Sequence, residues 1–149
     1  MRAYSIVFSL AALVGAPAWS AASAASYEVR MLNKDTAGQA WQFEPAFLKI
    51  APGDTVTFIP ADKGHNSEAL EATIPEGATP WKGSFNEPVA VTYEQEGVYL
   101  YKCLPHAPLG MVGVIQVGDA APNLEAVNSA NLPGKAETRA AELLAKVTQ

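Results

Sequence analysis

Between Tyr27 and Val117 the chain alternates apolar and polar positions in short runs. The runs are YEVRML (Tyr27–Leu32), FLKI (Phe47–Ile50), TVTFIP (Thr55–Pro60), VAVTY (Val89–Tyr93), GVYLYKC (Gly97–Cys103) and MVGVIQV (Met111–Val117). A period of two in Val, Ile, Tyr, Phe and Thr predicts half-buried strands. Pro, Gly, Asp and Asn separate them, and Pro52-Gly53-Asp54 is a turn signal placed directly before a strand. The stretch Pro75–Pro88 is too interrupted for one regular element. Short strands at this spacing predict an all-β sandwich or barrel. Beyond residue 120 the pattern changes. PNLEAVNSANL and PGKAETRAAELLAKVTQ place Ala136, Ala140, Leu143, Leu144 and Val147 at helical spacing. Two short helices are expected over about 122–147, the first capped by Asn123, covering sheet surface without chemistry of their own. The chain shows no internal repeat.

The first residues follow another logic. Met1-Arg2, the apolar run AYSIVFSLAALVGA and the small residues of SAASAAS read as a secretory signal peptide over residues 1–25, cut near Ala25 or Ser26. The run is too short to favour a membrane anchor. Residues 26–149 then form one domain, long enough for a core. The formal charge of -5 becomes about -6 when Arg2 leaves with the leader. Such an acidic chain is a poor nucleic-acid binder. Export also makes the cysteine count informative. Exported cysteines ordinarily pair, and this chain has one. Cys103 is therefore an inert buried thiol, half of an intermolecular disulfide, or a metal ligand.

Its surroundings separate these readings. Alternation in GVYLYKC sets Tyr99, Tyr101 and Cys103 on one face and Val98, Leu100 and Lys102 on the other. His106 and Met111 follow on the connection into MVGVIQV, shaped by Pro105, Pro108 and Gly110. The only other histidine, His65, follows the strand that ends at Pro60. A lone loop histidine is ordinarily a surface residue, and a lone methionine ordinarily core. Thiolate, two imidazoles and a thioether together suit copper, and a trigonal His2Cys set with a weak axial Met is the blue-copper electron-transfer arrangement. A zinc hydrolase is disfavoured, since Met is a poor zinc ligand and no general base sits in these motifs. A multi-copper oxidase or reductase needs more histidines than the two present. A copper carrier or buffer without a redox role is the remaining alternative.

GHN followed by YKC-x-P-H-x-x-x-G-M resembles the cupredoxin superfamily and, within it, the pseudoazurins. MLNK, FEP, PGDTVTFIP, DKGHN, IPEGA and the VGD before the terminal segment match as well, over essentially the whole domain. The resemblance implies an eight-stranded Greek-key cupredoxin sandwich with two C-terminal α-helices and one type 1 copper, held by His65, Cys103, His106 and Met111. It implies a tyrosine corner at Tyr99 and a monomer. It also implies a periplasmic electron carrier, not an enzyme. A c-type cytochrome or cytochrome complex would be its donor, and copper nitrite reductase or nitrous oxide reductase, the reductases of denitrification, its acceptor. An apolar patch of Pro105, Ala107, Pro108 and Leu109 is expected around His106, ringed by Lys34, Lys63, Lys82 and Lys102. Around the copper, Asn66 is expected to donate its N–H to the sulfur while its side chain pins the two ligand loops. Pro105 can donate nothing to the sulfur. The chain departs from the family at Ala107-Pro108-Leu109, where an aromatic and a second methionine are usual. It departs again at Trp41, which takes the place of a methionine and is expected to stack on His106.

Overall fold

The structure is a computed structural model that describes residues 23–148. The expected leader falls almost wholly on residues 1–22, outside the described residues. Eight strands follow: β1 (Ser26–Lys34), β2 (Ala40–Glu44), β3 (Phe47–Ile50), β4 (Thr55–Pro60), β5 (Glu68–Ala69), β6 (Val89–Thr92), β7 (Gly97–Lys102) and β8 (Val112–Val117). They form two four-stranded sheets in the orders β2-β1-β4-β6 and β3-β8-β7-β5. The pairs β1–β4 and β3–β8 are parallel and the others antiparallel, so the chain crosses repeatedly between sheets in Greek-key fashion. Single 3-10 turns occupy Glu71–Thr73 and Ala107–Leu109, and the tail forms α1 (Leu124–Asn128) and α2 (Lys135–Leu144). Among the described residues no helix is long and apolar enough to cross a membrane.

Two apolar clusters hold this together, and β7 contributes to both. Its Tyr99 and Tyr101, with Cys103 just beyond, face the other sheet among Val29, Met31, Phe43 and Phe58. Val98 and Leu100 face outward, where Val127, Ala136, Ala140 and Leu143 of the helices cover them. The alternation expected for this strand is thus real, but both faces are dry. Leu143 is wholly buried, and its replacement by Ala would cost about 2–5 kcal/mol through lost transfer and a cavity. Near the start of β7, the Tyr99 hydroxyl donates to the Gln95 carbonyl at 2.8 Å, closing a tyrosine corner.

Asn123 corrects one expectation. It precedes α1 but makes no side-chain cap. Its amide instead accepts from Val98 N–H at 2.9 Å and donates to the carbonyls of Val98 and Thr73. It therefore ties the helical segment to β7, where buried backbone groups needed partners. At the opposite turn, Gly53 stands at φ +90°, a left-handed conformation that suits glycine between Pro52 and Asp54.

Candidate metal centre

Three elements at one end of the sandwich meet at the cluster: the loop after β4, the loop from β7 to β8, and the facing ends of β1 and β2. The β7–β8 loop is braced from within. Cys103 N–H donates to the Met111 carbonyl, Met111 N–H to that of His106, and His106 N–H to that of Cys103, at 3.1, 3.1 and 3.2 Å. Three soft-donor residues are thereby joined in a closed ring of backbone hydrogen bonds. Gly110, at φ +101°, makes the reversal that brings the chain back to Met111. The second loop is tied to the first by Asn66, whose Oδ1 accepts from Leu104 N–H at 2.8 Å. Asn66 Nδ2 reaches Glu68 at 3.2 Å and the Gly83 carbonyl at 3.3 Å, while His65 O accepts from Asn86 N–H at 2.9 Å.

His65 Nδ1, Cys103 Sγ and His106 Nδ1 converge. The separations are 3.6 Å from Sγ to His65, 3.4 Å from Sγ to His106, and 3.2 Å between the two nitrogens. Two imidazole nitrogens and one sulfur this close together could be donors to a single ion. Met111, wholly buried, belongs to the same cluster of core residues as Cys103. The donor set is what copper prefers, and the ligand atoms of His65, Cys103 and His106 all lie within 4.8 Å of one another.

The electrostatics agree. His65 is fully buried and its Nε2 lies 2.9 Å from Asn33 Oδ1. That contact places the ring proton on Nε2 and leaves the Nδ1 lone pair facing the cluster. Burial lowers the pKa of His65, and the nearby His106 lowers it further against a small opposing effect of Asp62. Burial lowers that of His106 too. Both imidazoles are thus biased toward the neutral, ligating form. Burial pushes the Cys103 thiol up, partly offset by the backbone N–H groups of Asn66 and His106, which favour the thiolate. A bound metal ion would take the place of the proton at that sulfur.

Trp41, at φ +57°, lays its indole on His106 with ring centroids 4.2 Å apart and planes 14° apart. It sits across from Asn33 on the neighbouring strand, in the register set by Leu32↔Gln42 and Lys34↔Ala40. One cross-strand pair therefore touches both imidazoles. Asn33 was missed in the sequence, where MLNK gave no sign that its asparagine would meet a histidine 32 residues later.

Around the cluster, His106 alone of the two imidazoles reaches the surface. Pro105, Pro108 and Leu109 are exposed beside it, but Ala107 is buried at 3% and leaves the expected patch. The 3-10 turn points its methyl inward. Leu104, 44% exposed, takes its place, and Phe85, 48% exposed, stands next to the Asn86 that braces His65. Neither was read from the sequence. Lys34, Lys63 and Lys82 are exposed, whereas Lys102 is half-buried and pairs with Glu68 at 3.5 Å.

A two-sheet Greek-key sandwich with a thiolate, two imidazoles and a thioether gathered at one end is the build of a blue copper electron carrier. The model for copper binding proteins of the plastocyanin/azurin family matches residues 29–118. A pseudoazurin from Paracoccus pantotrophus is 48% identical over 124 residues, covering 83% of this chain and 85% of that protein. The solved pseudoazurin of Hyphomicrobium denitrificans superposes with a TM-score of 0.79 at 43% identity, covering 83% of this chain and 99% of that one. A Sinorhizobium pseudoazurin gives 0.80 at 47% identity, with 83% and 96% covered. The chain belongs to the plastocyanin/azurin family and, within it, to the pseudoazurins.

Proposed function

We propose that this protein is a periplasmic type 1 copper electron carrier whose ligands are His65, Cys103, His106 and Met111. The observation that carries this reading is the convergence of two imidazole nitrogens and one thiol sulfur, with the lone pair of His65 directed inward by Asn33. Bound copper supplies a one-electron couple. The chain's own residues do the rest. Cys103 offers a buried thiolate at the end of β7, His65 anchors the site from the core, and His106 carries its ring edge to the surface where a partner docks. Trp41 holds that ring in place, and Asn66 keeps the two loops in register. Pro105 presents no N–H to the sulfur, leaving more electron density on it. The braced loops favour repeated exchange of electrons over exchange of the metal, against a carrier or buffer of copper.

Residues 1–25 serve as an export signal and 26–149 as the working domain, a monomer. Leu104, Pro105, Pro108 and Leu109 form the apolar contact around His106. Lys34, Lys63 and Lys82 lend a basic rim, with Lys102 partly neutralised by Glu68. Such a face suits acidic redox proteins. Copper nitrite reductase or nitrous oxide reductase is the acceptor in this reading, and a c-type cytochrome or cytochrome complex the donor. Adding Cu(II) to the purified protein should give an intense thiolate-to-copper absorption band with narrow EPR hyperfine splitting, both lost in Cys103→Ala. A pale solution with ordinary copper EPR would overturn the reading.

A further inference from the structure

Two carboxylates are buried among the described residues, Asp54 and Glu68. Asp54 is accounted for by its turn, where it accepts from the N–H groups of Ala25 and Ala51 at 2.7 and 2.8 Å. Glu68 is turned toward the donor cluster instead. A glutamate is seldom buried unless its charge is answered. On β5 it stands opposite Lys102 of β7, the residue before Cys103. Its Oε1 meets Lys102 Nζ at 3.5 Å, and its Oε2 accepts from Asn66 Nδ2 at 3.2 Å. The two ends of the ion pair differ in their surroundings. The Lys102 side chain is 30% exposed and that of Glu68 11%. The ammonium leans toward water and the carboxylate toward the interior.

That carboxylate settles which way the Asn66 amide points. With Nδ2 held by Glu68 Oε2 and the Gly83 carbonyl, Oδ1 is left to accept from Leu104 N–H. The reversed amide would set Oδ1 against a carboxylate and a carbonyl, and its NH2 against the N–H of Leu104. Asn66 follows His65 and Leu104 follows Cys103, so this one amide fixes the two loops relative to each other. Asn66 also offers its backbone N–H to the sulfur, and Glu68 is close enough for its charge to act there. We propose that Glu68 is a positioning residue of the metal centre, which orients the Asn66 amide and lowers the reduction potential by holding a negative charge beside the sulfur. Oxidation adds a positive charge to the centre, and a buried carboxylate stabilises it more than an exposed one does. This rests on the electron-carrier reading and adds to it a residue that tunes the couple without touching the metal.

The test has two readouts. The first is the reduction potential of the copper-loaded protein. Glu68→Gln keeps an acceptor for Asn66 and removes the charge, so the potential should rise while the blue band stays. Glu71→Gln removes an exposed charge from the adjoining turn and should move the potential less. Most of the Glu68→Gln shift should survive high salt, because a buried charge is little screened. The second readout needs no metal: hydrogen exchange of the Leu104 amide in the metal-free protein. Exchange should quicken several-fold in Glu68→Ala and stay near native in Glu68→Gln. Glu68→Asp keeps the charge but loses the reach, and it carries the test if Glu68→Gln does not fold. Its potential should lie near native while Leu104 exchanges faster. A potential that Glu68→Gln lowers, leaves unchanged, or raises no more than Glu71→Gln does would overturn the proposal. So would Leu104 exchange that Glu68→Ala leaves as it was. Native protein that never shows the blue band would instead overturn the electron-carrier reading, and the role of Glu68 in the potential with it.

Discussion

The two imidazoles of the site are held in opposite ways. His65 is fully buried, and its far nitrogen is fixed by a hydrogen bond to Asn33. His106 reaches solvent, and its ring is held by the face of Trp41. A hydrogen bond fixes a tautomer and a direction, whereas a stack fixes a plane and leaves the ring edge free. One imidazole is built to stay and the other to be touched. The adjacent strands β1 and β2 supply both restraints from facing positions, so a single stretch of sheet sets the contrast.

The largest expected break comes from deleting each ring. In His106→Gly the gap opens to solvent, so added imidazole should restore the blue spectrum. In His65→Gly the gap lies in the core and imidazole should restore nothing. Equal rescue of both, read by absorption, would dissolve the contrast. Next in size is Asn33→Ala, which frees the His65 tautomer and should lower copper affinity about 10–100-fold in a chelator competition. Unchanged affinity would show that burial alone orients the ring.

The third effect is one of pH and concerns the copper-free protein. Both histidines titrate below the ordinary value of 6.5 when folded. The unfolded chain then binds more protons than the folded one across the window between the lowered values and 6.5. Stability should therefore fall as pH drops from neutrality through that window. Melting temperatures of metal-free protein at pH 7.5 and 5 check this, and the His65→Gln/His106→Gln double variant should flatten the dependence. The smallest effects are structural. Asn66→Ala removes the bond to Leu104 N–H and leaves that donor short of a partner, a loss of about 1–3 kcal/mol. Trp41→Leu removes the stack, a loss of about 0.5–1.5 kcal/mol, and should shift the His106 ring protons in the Cu(I) NMR spectrum. A larger thermal loss from Trp41→Leu than from Asn66→Ala would reverse the assigned roles.

Much of this was legible beforehand, for identifiable reasons. Alternation marked six of the eight strands, because their side chains divide cleanly between sheet faces. It did not mark β5, which is two residues long, or β2, where Gln42 is buried and Trp41 sits at positive φ. The count of eight came from family resemblance. The donor cluster was readable because Cys103, His106 and Met111 follow one another on a single loop and because an unpaired cysteine behind an expected export signal has few ordinary uses. The supports were harder. Asn33 meets His65 only through sheet registration, and Asn123 looked like a helix cap because its bonds to β7 are made 25 residues back along the chain. Ala107 was expected on the surface with its loop neighbours Pro105, Pro108 and Leu109, and the direction of a 3-10 turn decided otherwise.

The backbone ring through Cys103, His106 and Met111 has an evolutionary consequence. Its three bonds use main-chain atoms, which do not depend on which side chains lie between. Substitutions at the exposed Pro108 and Leu109 can therefore rewrite the surface beside His106 while the donors keep their places. The exposed apolar surface and the buried donor cluster share one loop, yet they are free to diverge at different rates.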